Sequence, residues 1–207
     1  HGMKGVDRRQ EKVFALAGLC GICLYYLLEN IALTCTLASN VGVIISAAPF
    51  FTAILSRLFM KSEGKLGPAF FIGFGVAMAG ILMISLNGSG PELNPAGDIL
   101  ALLAAFVWAC YSILMRKIGD FGYPVILATR RTFFYGILFM VPALFVFDCK
   151  IGAERFADGT VMFNLLYLGL GASALCFATW NFAVHVLGAV RTSVYIYMVP
   201  VITVVTS

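Results

Sequence analysis

The sequence predicts an all-α, polytopic membrane fold, and three observations carry that prediction: its composition, the length of its apolar runs and an internal repeat. Hydrophobic residues make up 61% of the 207 and charged residues 12%, against roughly 45–50% and about 25% in soluble domains, and mean hydropathy is +0.96. A hydrocarbon core about 30 Å thick needs roughly 20 apolar residues as helix, and seven segments meet that measure. Segments of about ten residues with dyad alternation, the mark of a membrane β-barrel, do not occur. The repeat places Asn30-x-Ala32 and Pro49 at the same 19-residue spacing as Asn181-x-Ala183 and Pro200. The same offset of 151 pairs Leu24 with Leu175, Ala38 with Ala189, Val43 with Val194, Ile45 with Ile196 and Thr52 with Thr203.

Each segment has its own limits. The first, Val13 to Ala38, follows Lys4, Arg8, Arg9 and Lys12 and stops at Ser39-Asn40. The second, Val41 to Met60, holds Pro49 and ends before Lys61 to Lys65, a polar stretch. The third, Leu66 to Leu86, runs into the Gly- and Pro-rich loop from Asn87 to Asp98, a composition that breaks helices. The fourth, Ile99 to Met115, closes at Arg116-Lys117 and the turn Gly119 to Gly122. The fifth, Pro124 to Phe147, carries Arg130 and Arg131 and is followed by the polar loop Asp148 to Gly159. The sixth is Val161 to Leu187, and the seventh, Thr192 to Ser207, follows Arg191. Gly73, Ala77 and Gly80 form one stripe of small residues and Ala101, Ala105 and Ala109 another, patterns that let membrane helices approach closely. No signal peptide is recognisable, residue 1 is His and the last segment is short, so a fragment of a longer chain is expected.

Lys and Arg mark the cytoplasmic side. Lys4, Arg8, Arg9, Lys12, Arg57, Lys61, Lys65, Arg116, Lys117 and Arg191 fall at alternate ends of the segments, which puts the N-terminus in the cytoplasm. The Asn30 copy is then the first span and the Asn181 copy the sixth, so an odd number of crossings turns one upside down relative to the other. Inverted repeats offer two exchanged conformations, one open to each side, which is the physical basis of alternating access. The net charge of +4 is small and sits at span ends, so nucleic-acid binding is excluded as a reading.

The order of motifs resembles the EamA-type family of the drug/metabolite transporter superfamily. The matching stretches are Tyr25 to Leu33 with Ala47 to Phe50, Gly67 to Gly80, Gly97 to Ala105 with Trp108, and Trp180 to Ala183 running on to Thr192 to Pro200. Members have ten spans built as two inverted five-span repeats. The resemblance therefore implies that residues 13–87 are the first repeat lacking its opening spans, and 97–207 the second lacking its last. It also implies a secondary transporter, an exporter of small metabolites such as amino acids or drug-like compounds, in the bacterial inner (plasma) membrane.

The candidate substrate contacts are polar or aromatic groups within apolar runs. Glu29 and Asn30 interrupt the first segment where a carboxylate is expensive, so a cavity-facing role competes with a place near the outer interface. Asn181 is the repeat equivalent of Asn30, and Trp180 precedes it as Glu29 precedes Asn30; each Asn suits interhelical hydrogen bonding as well as ligand contact. Tyr25, Tyr26, Trp108, Trp180, Tyr195 and Tyr197 offer amphipathic faces, though belts and packing explain most such residues. Arg130 and Arg131 point about 100° apart on a helix, so one can reach the headgroups while the other faces a cavity, an anion or a carboxylate. Pro49 and Pro200 remove a backbone donor inside their spans and serve as hinges or cavity walls. His185 reads as a packed or interfacial imidazole.

Cys20-x-x-Cys23 lies in a membrane helix without a second pair, so neither a metal nor a redox centre is expected, and no cofactor is implied. Motifs for hydrolysis or ATP use are absent from the sequence, which points away from an enzyme and towards transport driven by a proton or other ion gradient. The partners expected are a small-molecule substrate and the lipid bilayer. The alternatives are a nucleotide-sugar or phosphorylated-sugar carrier of the same superfamily, reading its anion through Arg130 or Arg131, and a membrane scaffold that transports nothing.

Overall fold

A computed structural model describes residues 7–60, 67–86, 94–147, 156, 158–199 and 202. Seven helical stretches follow one another: α1 Arg8–Cys35, α2 Ala38–Phe59, α3 Pro68–Leu86, α4 Pro95–Gly119, α5 Val125–Val146, α6 Gly159–Leu187 and α7 Ala189–Val194, which tightens into a 3-10 turn over Tyr195–Tyr197. All but α3 and α7 are long and apolar enough to cross a membrane, five in number among the described residues. Pro200 and most of the seventh expected segment lie outside the described residues.

Helix ends follow local chemistry. α4 begins four residues before its expected start because Asn94 caps it: its Oδ1 accepts from the N–H groups of Ala96 and Gly97 at 3.2 and 3.4 Å, and Pro95 fills the first turn, where no N–H is needed. The Asn94 Nδ2 also donates to the Cys35 carbonyl at 2.7 Å, so one side chain ties the start of α4 to the end of α1. Asp158 caps α6 by accepting from Thr160 N–H at 2.8 Å. Between α6 and α7 the chain turns at Gly188 with φ 89°, a left-handed conformation that favours glycine.

Some helix bounds recur at the same offset of 151 residues. Shifted by 151, the starts of α1 and α2, Arg8 and Ala38, fall on the starts of α6 and α7, Gly159 and Ala189. Both long helices contain a π-helical stretch, Leu19–Leu24 in α1 and Tyr167–Leu175 in α6, and the two end at equivalent residues. Such i→i+5 winding is rare and is found frequently at functional places. The α2 helix breaks at Ser46–Ala47, three residues before the Pro49 position is passed, and resumes at Ala48–Phe59 with the proline in its first turn. Pro49 cannot donate to the Ile45 carbonyl, so Ala47 N–H turns back to Ile44 O at 3.0 Å. At the offset of 151 that break falls on Tyr197–Met198, where the 3-10 turn Tyr195–Tyr197 ends.

α4 is the central helix. Its alanines at 101, 104, 105 and 109 are fully buried, as small-residue seams require. α1 meets it antiparallel, with Cys35 against Asn94, Tyr25 against Trp108 and Gly21 against Tyr111. α6 meets it in parallel, with Trp108 against Phe177, Tyr111 against Asn181 and Gly119 against His185. α1 and α6 therefore run in opposite directions. The other close seam joins α1 to α5. A Cβ on Gly18 would fall 2.5 Å from Thr132 O, and one on Gly136 2.3 Å from Ile22 Cβ. The stripe Gly73-Ala77-Gly80 differs from expectation: a Cβ on Gly73 or Gly80 would meet nothing within 4 Å among the described residues.

These contacts predict opposite outcomes for two similar substitutions. Gly136→Ala overpacks the α1–α5 seam and lowers the unfolding midpoint of the detergent-solubilised protein, at a cost of about 1–3 kcal/mol. Gly73→Ala leaves it unchanged or raises it slightly, since alanine is the better helix former by about 1 kcal/mol. Equal losses from both would contradict the packing.

Candidate functional site

Where α1, α4 and α6 cross, their inward faces are aromatic. Trp108 of α4 lies 4.7 Å from the Tyr25 ring, 5.3 Å from Tyr111, 5.5 Å from Phe177 and 5.2 Å from Trp180, centroid to centroid. These are ordinary offset or edge contacts. What sets the cluster apart is its polar inventory: the indole Nε1 atoms of Trp108 and Trp180 are buried with no hydrogen-bond partner among the described residues. A buried donor without an acceptor costs free energy, and a bound solute carrying a carboxylate or carbonyl would satisfy it. Glu29 stands at the edge of the cluster, half-buried, accepting from Tyr25 OH at 3.0 Å.

Tyr26 and Phe177 are equivalent residues in the two copies, 151 apart, and they stack on each other at 6.0 Å with 29° between ring planes. Tyr26 OH also shares a hydrogen bond with Ser173 Oγ at 3.0 Å. Beside this crossing lies a cavity of about 430 Å³ between α1, α5 and α6, whose wall includes Tyr26, Phe133, Gly169 and Ser173. Its size falls within the range of small-molecule pockets, about 300–1,000 Å³.

The two asparagines have different surroundings. Asn181 is buried; its Oδ1 accepts from Tyr111 OH at 2.8 Å and its Nδ2 donates to Thr129 Oγ1 at 2.9 Å, so it links α6 to α4 and α5. Asn30 is exposed, and its Nδ2 donates to the Tyr26 carbonyl one turn back at 2.7 Å. Thus Glu29, Tyr26, Trp180 and Asn181 come together around Trp108, whereas Asn30 points away from them. Arg130 and Arg131 lie at the end of the bundle that collects the basic residues. Arg131 Nε and Nη2 donate to both oxygens of Glu11 at 3.1 and 2.6 Å, Tyr135 OH donates to the same carboxylate, and Arg130 is exposed. Pro49 is buried in α2. His185 packs against Gly119, and its carbonyl accepts from Arg116 at 3.0 Å.

Sequence reasoning passed over Phe177, Tyr111, Thr129, Ser173 and Glu11. The signal for Phe177 was available, since the repeat offset carries Tyr26 onto it. Tyr111 and Thr129 complete Asn181 from other helices, and no spacing along the chain announces that. Replacing Asn181 with Leu strands Tyr111 OH, whereas the Thr129 hydroxyl still donates to Val125 O at 2.9 Å; the unsatisfied buried group costs about 1–3 kcal/mol and lowers the unfolding midpoint. Asn30→Leu, at the equivalent but exposed position, leaves it nearly unchanged; the same midpoint for both variants would contradict the burial described.

Comparison with known proteins places these features in a family. The chain is 26% identical over 198 residues to an uncharacterized transporter of Archaeoglobus fulgidus, covering 91% of this chain and 64% of that protein. It is 25% identical to the uncharacterized transporter YyaM of Bacillus subtilis, covering 100% and 68%. It is 24% identical to a protein of Streptantibioticus cattleyicolor named a probable terminal-alkyne amino-acid exporter, covering 99% and 66%. The chain thus spans about two thirds of the length of these relatives. A crystal structure with 18% identity superposes with a TM-score of 0.67, covering 94% of this chain and 67% of that one, a likeness of fold alone. The sequence profile of the EamA-like transporter family matches residues 2–86 and 95–207. With a profile match across nearly its whole length and an all-helical, apolar build, the chain belongs to the EamA-like transporter family.

Proposed function

We propose that the full-length protein is a secondary transporter that exports small amphipathic metabolites, amino acids among them, by alternating access. In this reading residues 13–87 and 97–207 belong to two inverted five-span repeats, the N-terminus is cytoplasmic, and an ion or proton gradient drives the cycle. The observation that carries the proposal is the stacking of Tyr26 on Phe177. Residues at equivalent places in two copies touch only near the axis that relates them, and here the two helices run in opposite senses. Transporter folds of this kind hold their substrate at the repeat interface near the middle of the membrane. The Trp108 and Trp180 indoles and Glu29 lie around this crossing, where they suit a solute with an apolar body, an acceptor group and an amine. The name of the Streptantibioticus relative supports an amino acid as such a solute.

Reading an anion through Arg130 or Arg131 draws less support. Arg131 is neutralised by Glu11, and neither arginine lines the cavity beside the aromatic crossing.

Efflux of preloaded amino acids from cells expressing the full-length protein tests the proposal. Glu29→Leu and Trp180→Leu are expected to slow efflux roughly tenfold or more, the loss of one to two polar contacts at about 1.4 kcal/mol per decade, while exposed Arg57→Gln leaves it intact. Efflux undiminished in both site variants would remove the aromatic crossing from the mechanism.

A further inference from the structure

A second cavity, of about 370 Å³, opens between the starts of α1 and α5 and is lined by Glu11, Leu127, Arg130, Arg131, Phe134 and Tyr135. Its charges do not cancel. Glu11 is committed to Arg131 and Tyr135, and Arg131 is further fixed by lying 5.8 Å over the Phe14 ring. Arg130 remains, exposed and with no acid against it among the described residues, so two cations face one carboxylate. Arg130 is the sixth residue of α5, about 8 Å below the start of the helix at 1.5 Å per residue, from where its long side chain can extend towards the lipid phosphates. One and two turns further on, Phe134, Ile137 and Leu138 are all more than half exposed, and their i+4, i+7 and i+8 spacing from Arg130 continues the same face of the helix.

We propose that this cavity binds one anionic glycerophospholipid, its phosphate held by Arg130 and its acyl chain laid along Phe134, Ile137 and Leu138. A zwitterionic headgroup brings an ammonium to a place that already has a surplus cation; an anionic one does not. The immobile Glu11–Arg131 pair shapes the pocket and keeps its net charge positive. Basic pockets between membrane helices recognise lipids on these terms. The headgroup pocket at Arg130 shares no lining residue with the cavity beside the aromatic crossing, although Ile137 on the acyl track borders that cavity, and lipid retention is read without reference to transport.

The test uses the full-length protein reconstituted into nanodiscs of mixed phosphatidylglycerol and phosphatidylcholine, released for native mass spectrometry, with circular dichroism confirming the fold of each variant. One phosphatidylglycerol should be retained about fivefold more than phosphatidylcholine, the selectivity of a single basic residue near a charged lipid. Arg130→Gln should bring that ratio close to one, and Arg57→Gln, an exposed cation at the end of α2, should leave it unchanged. Equal retention of the two lipids by the unaltered protein, selectivity that survives Arg130→Gln, or an equal loss in Arg57→Gln would overturn the proposal.

Discussion

The crossing of α1 and α6 at Tyr26 and Phe177 is the contact on which the other arrangements depend. Lipid offers helices no hydrophobic incentive to associate, so close packing and interhelical hydrogen bonds must hold them. Two rings from equivalent positions meet there, and a single hydrogen bond to Ser173 fixes the tyrosine. Trp108 then brings α4 into the same cluster, and Tyr111 passes from it to Asn181 and on to Thr129 of α5. The aromatic crossing is therefore continuous with the polar link that joins α4, α5 and α6.

Glycine sets how near the helices come. Gly21 admits the Tyr111 ring, and Gly18 and Gly136 let the backbones of α1 and α5 touch. These approaches lock α1 against both α4 and α5. Pulling α1 from α5 would also break the Glu11–Arg131 pair. The break at Ser46–Ala47, beside buried Pro49, is by contrast a place where the backbone ladder is already open. Its counterpart at the same offset is Tyr197–Met198, at the end of the 3-10 turn.

Much of this was legible in the sequence, because membrane burial writes itself into runs of apolar residues. The bounds of α3 and α5 fall within two residues of their expected places, and those of α6 likewise. The early start of α4 was missed because a polar Asn94-Pro95 pair reads as loop until its capping role is known. The alanine seam of α4 was read from spacing alone. The stripe at Gly73 was read in the same way, but a Cβ there meets nothing within 4 Å among the described residues, since small residues say that a close approach is possible without saying what approaches. The pairing of Arg131 with a carboxylate was one of the options the helix geometry left open, and Glu11, lying just outside the apolar run, went unnoticed as its partner. Asn30 and Asn181 stand alike in the repeat, but hydrogen-bond partners come from other helices and only Asn181 has them among the described residues.

The central claim is that the two copies cross in opposite senses. Ser39 and Leu187 are exposed at the equivalent connections, α1 to α2 and α6 to α7, and each accepts a single cysteine in a background freed of the native ones. Labelling of the full-length protein with a membrane-impermeant maleimide, on intact cells and on inverted vesicles, reads the side of each. The account predicts that Ser39→Cys reacts from one face and Leu187→Cys from the other; reaction of both from the same face would contradict it.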